Sequence, residues 1–379
     1  MNHSNRIVLA ALALGALCSL LVLPLAAETA AGWEPDAVAA AEPELPLAES
    51  ASGPAMFGLQ WRLDRLGFSP GVLDGMWGAN TEAALAAFQG ANGLPANGEL
   101  DAASWKALAG AVGDAEPLVS HQLTAADLGG DEAPPADGYS IPEEPVAQAE
   151  LDCLCFESIS EALAERFHTT PDFLAQLNPG ADLDAASAGD RLVVPNVAGE
   201  PAEKSAEIDH LVISKQGFYL RAVDAEGDVV YHFPTTVGDG YDPSPDGEFE
   251  VTAVAPDPTF HYQPKLFADV SNDEQDAVLP PGPNSPVGVV WMQLSKENYG
   301  IHGTAEPSTI GHSTSHGCIR MTNWDARFLA DRIGEGTPVR FVGGEPDAET
   351  ASERGLDDEQ AEKAKKVEEA ASTEPGDDA

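Results

Sequence analysis

The sequence predicts a multidomain chain: a small three-helix bundle, then a small βααβ module, then a mainly β domain, sandwich-like, with one or two helices. Three observations predict it. At 379 residues the chain has room for two or three domains rather than one. Composition divides it, since residues 28–53, 111–148 and 344–379 are rich in Ala, Glu, Asp and Pro with little periodic pattern, and read as disordered linkers and an acidic tail. The hydrophobic period also changes, from helical spacing in the first half to short β runs from Ile208 onward.

Taken in order, Arg6, the apolar run Ile7 to Leu25, and the small residues Ala26 and Ala27 make the pattern of a secretory signal over residues 1–27. A membrane anchor is the competing reading, but Pro24 and the Ala-rich exit favour cleavage. In residues 54–110, Leu59, Leu63 and Leu66 share one helical face, "SPGVLDG" turns the chain, and Thr81 to Gln89 and Ala102 to Leu108 give two more helices. Trp61, Phe68, Trp77 and Phe88 are expected in its core. Residues 149–198 follow, with an opening strand "LDCLCFES", helices at Ile159 to Phe167 and Pro171 to Leu177, and a closing strand "GDRLVVPN". Between 206 and 343, β-rich runs such as "HLVISKQGFYLRAV" and "VGVVWMQL" alternate with Gly, Pro, Asn and Asp. Only "NWDARFLADRI" reads as a helix there, capped by Thr322 or Asn323. The Pro-rich segment 257–282, with His261, Tyr262 and Lys265, is long enough to read as a lid over a cleft.

Charge narrows the possible partners. With 63 acidic against 19 basic residues the net charge is -44, which excludes nucleic acid and anionic lipid as partners. Four cysteines are too few for a disulfide scaffold. Cys18 leaves with the signal, Cys153 and Cys155 lie two apart and could bridge each other under strain, and Cys318 has no obvious mate. An odd thiol in an exported protein suggests reactivity.

That thiol lies in "NYGIHGTAEPSTIGHSTSHGCIRMTNWD", with His302, His312 and His316 around it. If "SHGCIRM" is extended, His316, Cys318 and Arg320 share one face while Ile319 and Met321 enter the core. A turn at "SKENYG" would fold the strand that ends at His302 back against "VGVVWMQL" and bring its imidazole to the thiol. An imidazole that takes the thiol proton, and holds the thiolate as an ion pair, activates it toward carbonyl carbon. Gly317 and the amides around it suit an oxyanion, and Arg320 suits a carboxylate. Two other readings stand beside this one. His302, His312, His316 and Cys318 are donor types for zinc, although no HxxxH or CxxC pair sets a geometry, and Cys318 could be a buried structural cysteine.

Motifs sharpen these readings. "LQWRLDRLGF", "DGMWGANTEAALAAFQ" and "NGLPANGELDAASWKAL" resemble the peptidoglycan-binding domain of cell-wall enzymes, and "ISEALAERF", "LNPG" and "GDRLVVP" resemble LysM, a glycan-binding module. His302-Gly303-Thr304, Gly311 and Ser315-His316-Gly317-Cys318-Ile319-Arg320 resemble the signature of the L,D-transpeptidases with a YkuD-type catalytic domain, a likeness that extends over 208–343. That resemblance implies a peptidoglycan L,D-transpeptidase. Cys318 matches the nucleophile, His302 the proton carrier and His316 the second histidine, with Arg320, Gly303, Ser315 and Gly317 shaping the site. Because Gly303 stands where some relatives have Ser, any third-member role there falls to a backbone carbonyl; Asp325 is left out of catalysis, as a residue that begins a helix. The implied partners are peptidoglycan stem peptides and glycan strands, with a lipoprotein lysine as one possible acceptor, and no cofactor is required. The implied location is the periplasm or cell wall, the two N-terminal modules acting as tethers on flexible linkers. A hydrolase of the same family and a non-catalytic wall binder are the alternatives.

Overall fold

The computed structural model describes residues 32–45, 51–136, 138–197, 206–238, 242–266 and 275–344. The predicted signal, the tail beyond 344 and residues 267–274 of the predicted lid lie outside the described residues. Among the described residues no helix is long and apolar enough to cross a membrane.

The N-terminal half is helical. A short helix α1 (Pro35–Ala39) precedes α2 (Pro54–Arg65), α3 (Ala79–Ala91) and α4 (Ala102–Val112). Pro at the first turn opens α2, and the Asp101 carboxylate accepts from Ser104 N at 2.7 Å to open α4. Leu59, Leu63, Leu85, Phe88 and Leu108 fill the space between these helices, and Phe68 meets Phe88 edge-on at 5.6 Å. Trp77 is half-buried at the margin.

Next come β1 (Leu118–Gln122), α5 (Pro145–Gln148), α6 (Ile159–Arg166), α7 (Pro171–Leu177) and β2 (Arg191–Pro195). β1 and β2 pair antiparallel, Leu118 opposite Pro195 and Gln122 opposite Arg191, with α6 and α7 between them in sequence. Ser158 and Thr170 cap the two helices through Glu161 N and Phe173 N.

Here the structure departs from the sequence reading in three ways. The opening strand of the βααβ unit is not 151–158 but "LVSHQ", inside the stretch read as a linker. Its signal is the single buried Leu118, too short to register as a period. Residues 153–155 instead carry a Cys153–Cys155 disulfide, with Cα atoms 5.2 Å apart, well within the usual range. The segment read as the first linker also packs. Trp33 stands edge-on to Phe173 at 5.0 Å and to Phe57 at 6.0 Å, and Val38 is fully buried beside them.

Flexible tethering is overturned by the same contacts. Phe57, Trp61 and Leu73 of the helical unit share one core with Leu118, Phe173, Leu177 and Val193 of the middle unit, and Trp61 Nε1 donates to Asn196 O at 2.9 Å. Two modules with a common core cannot swing independently. Trp61 is wholly enclosed at this seam, so Trp61→Ala is expected to destabilise the N-terminal half by about 3–5 kcal/mol, the usual cost of truncating a buried Trp. Urea melts followed by far-UV circular dichroism would show an early transition; an unchanged midpoint would mean that the seam contributes little.

The C-terminal half contains β3 (His210–Ser214), β4 (Tyr219–Val223), β5 (Val229–Pro234), β6 (Val237–Gly238), β7 (Gly247–Pro256), β8 (Phe260–Tyr262), β9 (Ala277–Leu279), β10 (Val290–Leu294), β11 (Gly300–His302), β12 (Thr314–Ser315), β13 (Ile319–Arg320), helix α8 (Asn323–Ala330) and β14 (Pro338–Val342). Eight strands form one sheet in the order β13-β11-β10-β7-β14-β3-β4-β5, while β6 pairs β12 and β8 pairs β9 in separate ladders. A single core joins Leu220 of β4, Val251 of β7, Met292 of β10, Ile319 of β13 and Leu329 of α8. The expected mainly β domain is thus built on the long β7, whose residues 247–250 pair with β14 and 251–256 with β10. Thr322 caps α8, its hydroxyl accepting from Asp325 N at 3.2 Å.

Both N-terminal units dock on this domain. Ser69 N donates to His232 O at 2.8 Å and His232 N to Gly67 O at 2.9 Å, a short backbone bridge between the helical unit and β5. Leu154 N donates to Pro281 O at 2.9 Å, and Asn284 N to Leu154 O at 3.0 Å.

Candidate active site

Three strands bring the site together. β11 runs antiparallel to β10 and parallel to β13, so His302 lies opposite Trp291 and beside Arg320. The Trp291 ring stacks on the His302 imidazole, centroids 5.4 Å apart at 22°. Met321 N donates to His302 O at 2.8 Å and locks the two strand ends together.

The alternation predicted for this stretch holds from Cys318 to Met321. Ile319 and Met321 enter the core, while Cys318 and Arg320 are half-buried on the other side. It fails at Gly317, whose φ of +99° bends the chain and leaves His316 exposed on the outer side of the turn. A side chain at 317 would lie 2.9 Å from Tyr299 and 3.2 Å from Pro243 O. Ser315 Oγ closes the turn, donating to Cys318 O at 2.6 Å and accepting from Gly317 N at 3.2 Å. The Gly317 amide is thus engaged with Ser315 rather than turned toward an oxyanion. From the other side Ser244 Oγ donates to Gly317 O at 2.9 Å and accepts from Gly238 N at 2.8 Å.

His302 Nδ1 lies 2.7 Å from Gly303 O. A carbonyl can only accept, so Nδ1 carries the proton and Nε2 presents its lone pair. Gly303 is itself held. Asn323 Oδ1 accepts from Thr304 N at 3.1 Å and from Val289 N at 3.2 Å, and a Cβ on residue 303 would collide with that same oxygen. Cys318 is the free cysteine among the described residues, and its Sγ reaches Asn298 O at 3.7 Å. His312 lies away on the loop, its ring 3.5 Å from the Asn80 amide of the helical unit. Among the described residues no three His, Cys, Asp or Glu side chains converge in a metal-binding group.

Known proteins resemble two parts of this chain. The model of the L,D-transpeptidase catalytic domain, YkuD, matches residues 208–341, and that of a peptidoglycan binding domain matches 52–108. A Bacillus licheniformis protein named as the L,D-transpeptidase YkuD is 32% identical over 182 residues, which cover 48% of this chain and 92% of that protein. Its Bacillus subtilis counterpart is 30% identical over 178 residues, 47% of this chain and 90% of that protein. The chain belongs to the L,D-transpeptidase family. Among solved structures, the L,D-transpeptidase from Xylanimonas cellulosilytica aligns at 20% identity over 79% of this chain and 100% of that one, with a TM-score of 0.34.

In this L,D-transpeptidase, electrostatics decides how the thiol rests. Burial pushes the His302 imidazole down to about 3, the Arg320 charge adds to that, and the Gly303 carbonyl opposes it. Burial also raises the Cys318 thiol, against the Gly300 backbone and the Arg320 charge, which favour thiolate. Both shifts work against the charged forms. These directions run against the ion pair expected from the residue types, because burial opposes both charges at once. Alkylation of Cys318 by iodoacetamide should accordingly be slow at neutral pH and climb only above about pH 8.5, where an ordinary thiol ionises. A plateau of fast alkylation between pH 5 and 7, read by intact mass, would mean that the ion pair exists after all.

Sequence reasoning missed Trp291, Ser244 and the carboxamide of Asn323. Asn323 was visible only as a helix cap, and no local pattern marks a side chain that serves a loop 20 residues upstream.

Proposed function

We propose that this chain is a cysteine-dependent L,D-transpeptidase of peptidoglycan, with Cys318 as nucleophile and His302 as the group that moves its proton. The observation that carries this reading is the His302 Nδ1–H to Gly303 O bond, which fixes the tautomer and leaves Nε2 as the base on the strand beside Cys318. His302 Nε2 takes the thiol proton as Sγ attacks the carbonyl between the diamino acid and D-Ala of a tetrapeptide stem. When the tetrahedral adduct collapses, its C–N bond breaks, the imidazolium protonates the departing D-Ala amine, and a thioester remains. An acceptor amine then attacks the thioester, His302 takes the amine proton, and the thiolate leaves to be reprotonated. An amine on a second stem gives a 3→3 cross-link; a lipoprotein lysine, a free D-amino acid or water are the other acceptors in play. Arg320 suits the stem carboxylate, and Gly303, Ser315, Gly317 and the exposed His316 shape the approach.

In this reading residues 54–110 bind the wall, and the unit made of β1, α6, α7 and β2 is a LysM-like glycan module. Residues 206–343 form the catalytic domain of an exported protein that works in the periplasm or cell wall. Intact mass of the full chain after incubation with a tetrapeptide stem and, separately, with a carbapenem tests the acyl-enzyme. Labelled stems with and without an acceptor amine then separate the outcomes. Dimer supports transpeptidation, tripeptide alone marks a hydrolase, and no product with no adduct leaves a wall binder.

A further inference from the structure

Three consecutive residues at the start of α8 grip the N-terminal modules. Asp325 Oδ2 accepts from Ser69 Oγ at 2.8 Å. The His168 ring stacks on Trp324, centroids 5.0 Å apart at 9°. Asn323 Nδ2 donates to Glu165 Oε1 and Oε2 at 3.1 and 3.0 Å, and also to Pro283 O at 3.1 Å. These residues begin just past β13, the strand that carries Arg320 and is preceded by Cys318. The first two contacts only dock the modules; the third leads into the site, because the other end of the same carboxamide holds Thr304 N and abuts Gly303.

We propose that Glu165, on α6 of the middle module, is a positioning residue for the reaction, orienting Asn323 so that its Oδ1 fixes the Gly303 carbonyl to which His302 Nδ1 donates. An Asn side chain can flip, exchanging its amide ends. Burial pushes the Glu165 carboxyl up to about 8, which leaves it a carbonyl oxygen to accept from Nδ2; with Pro283 O accepting beside it and the Val289 and Thr304 amides donating to Oδ1, only one orientation satisfies every partner. A reversed carboxamide would set N–H against the Val289 and Thr304 amides on one side and oxygen against Pro283 O on the other. The accessory module thereby becomes part of the catalytic centre rather than a tether.

This inference rests on the reading of His302 as the proton carrier, and the experiment keeps the two apart. Acyl-enzyme formation on the full chain with a tetrapeptide stem is followed by rapid quench and intact mass across pH, for wild type, Glu165→Ala, Glu165→Gln, His168→Ala and His302→Ala. Glu165→Ala is expected to slow acylation about tenfold, equivalent to about 1.4 kcal/mol of barrier. Its acid limb should also move up toward the ordinary imidazole range, since a loosened 303–304 loop lets water reach His302. Groups that bear on the profile are Arg320 beside His302, the Glu165 carboxyl itself, pushed up to about 8 by burial, and Glu161, Glu132 and Arg327 around it. Glu165→Gln keeps an oxygen for Asn323 Nδ2 and should restore most of the rate. His168→Ala, which removes one docking contact without touching the carboxamide, should leave it unchanged. The proposal is overturned if Glu165→Ala matches wild type in rate and pH limb while His302→Ala is inactive, or if Glu165→Gln and His168→Ala lose as much as Glu165→Ala. Full acylation by His302→Ala would instead sink the His302 reading itself.

Discussion

Cys318→Ser is expected to fold normally and to form no acyl-enzyme, with turnover lowered at least about 10³-fold. The size of the loss follows from the base. His302, with its imidazole pushed down to about 3 chiefly by burial and further by the Arg320 charge, is a weak proton acceptor. A thiol, even one raised by burial, is within reach of such a base once attack begins, whereas a hydroxyl is several pH units further away. The substitution exchanges S for O at a half-buried position flanked by Gly317 and Ile319, so packing changes little. Intact mass after incubation with tetrapeptide or carbapenem reads the result directly. An adduct of full stoichiometry on the serine variant would move the nucleophile elsewhere.

His302→Ala is expected to lower acylation by about 10²- to 10⁴-fold near neutral pH, the range over which positioned general bases act. Two roles disappear together, removal of the thiol proton and its delivery to the D-Ala amine. Raising the pH above the Cys318 range should restore the first of these, because thiolate then forms without help. It cannot restore the second, so turnover of the tetrapeptide should stay low at high pH while alkylation of the thiol recovers. Parallel recovery of both would show that the leaving amine does not depend on His302. Loss of the ring also exposes the face of Trp291 that now stacks on it, so the folded fraction is checked by active-site titration.

The lesson of the fold lies in particular residues. Ile319 and Met321 alternate with Cys318 and Arg320, and "SKENYG" turns β11 back on β10; both follow from spacing along a few neighbouring residues. Gly317 was legible as a permissive position, but its positive φ, which takes His316 off the shared face, was not. The segments around Trp33 and Leu118 read as linkers because each offers only one or two apolar anchors to a core supplied by distant residues.

Sequence alone determined the chemistry available at the site: which thiol, which imidazoles, which glycines, and the strands and helix that carry them. These depend on residue type and on short-range periodicity, which a one-dimensional string contains. Only the tertiary structure decided that the N-terminal modules are fused to each other and to α8. It also decided that His302 is fixed as the Nδ1–H tautomer, that burial works against charge on both thiol and imidazole, and that Glu165 meets Asn323 across 158 residues of chain. The physical reason is common to all of these. Burial and hydrogen-bond partnership are set by what folds over a residue from elsewhere, and a protonation state is set by both.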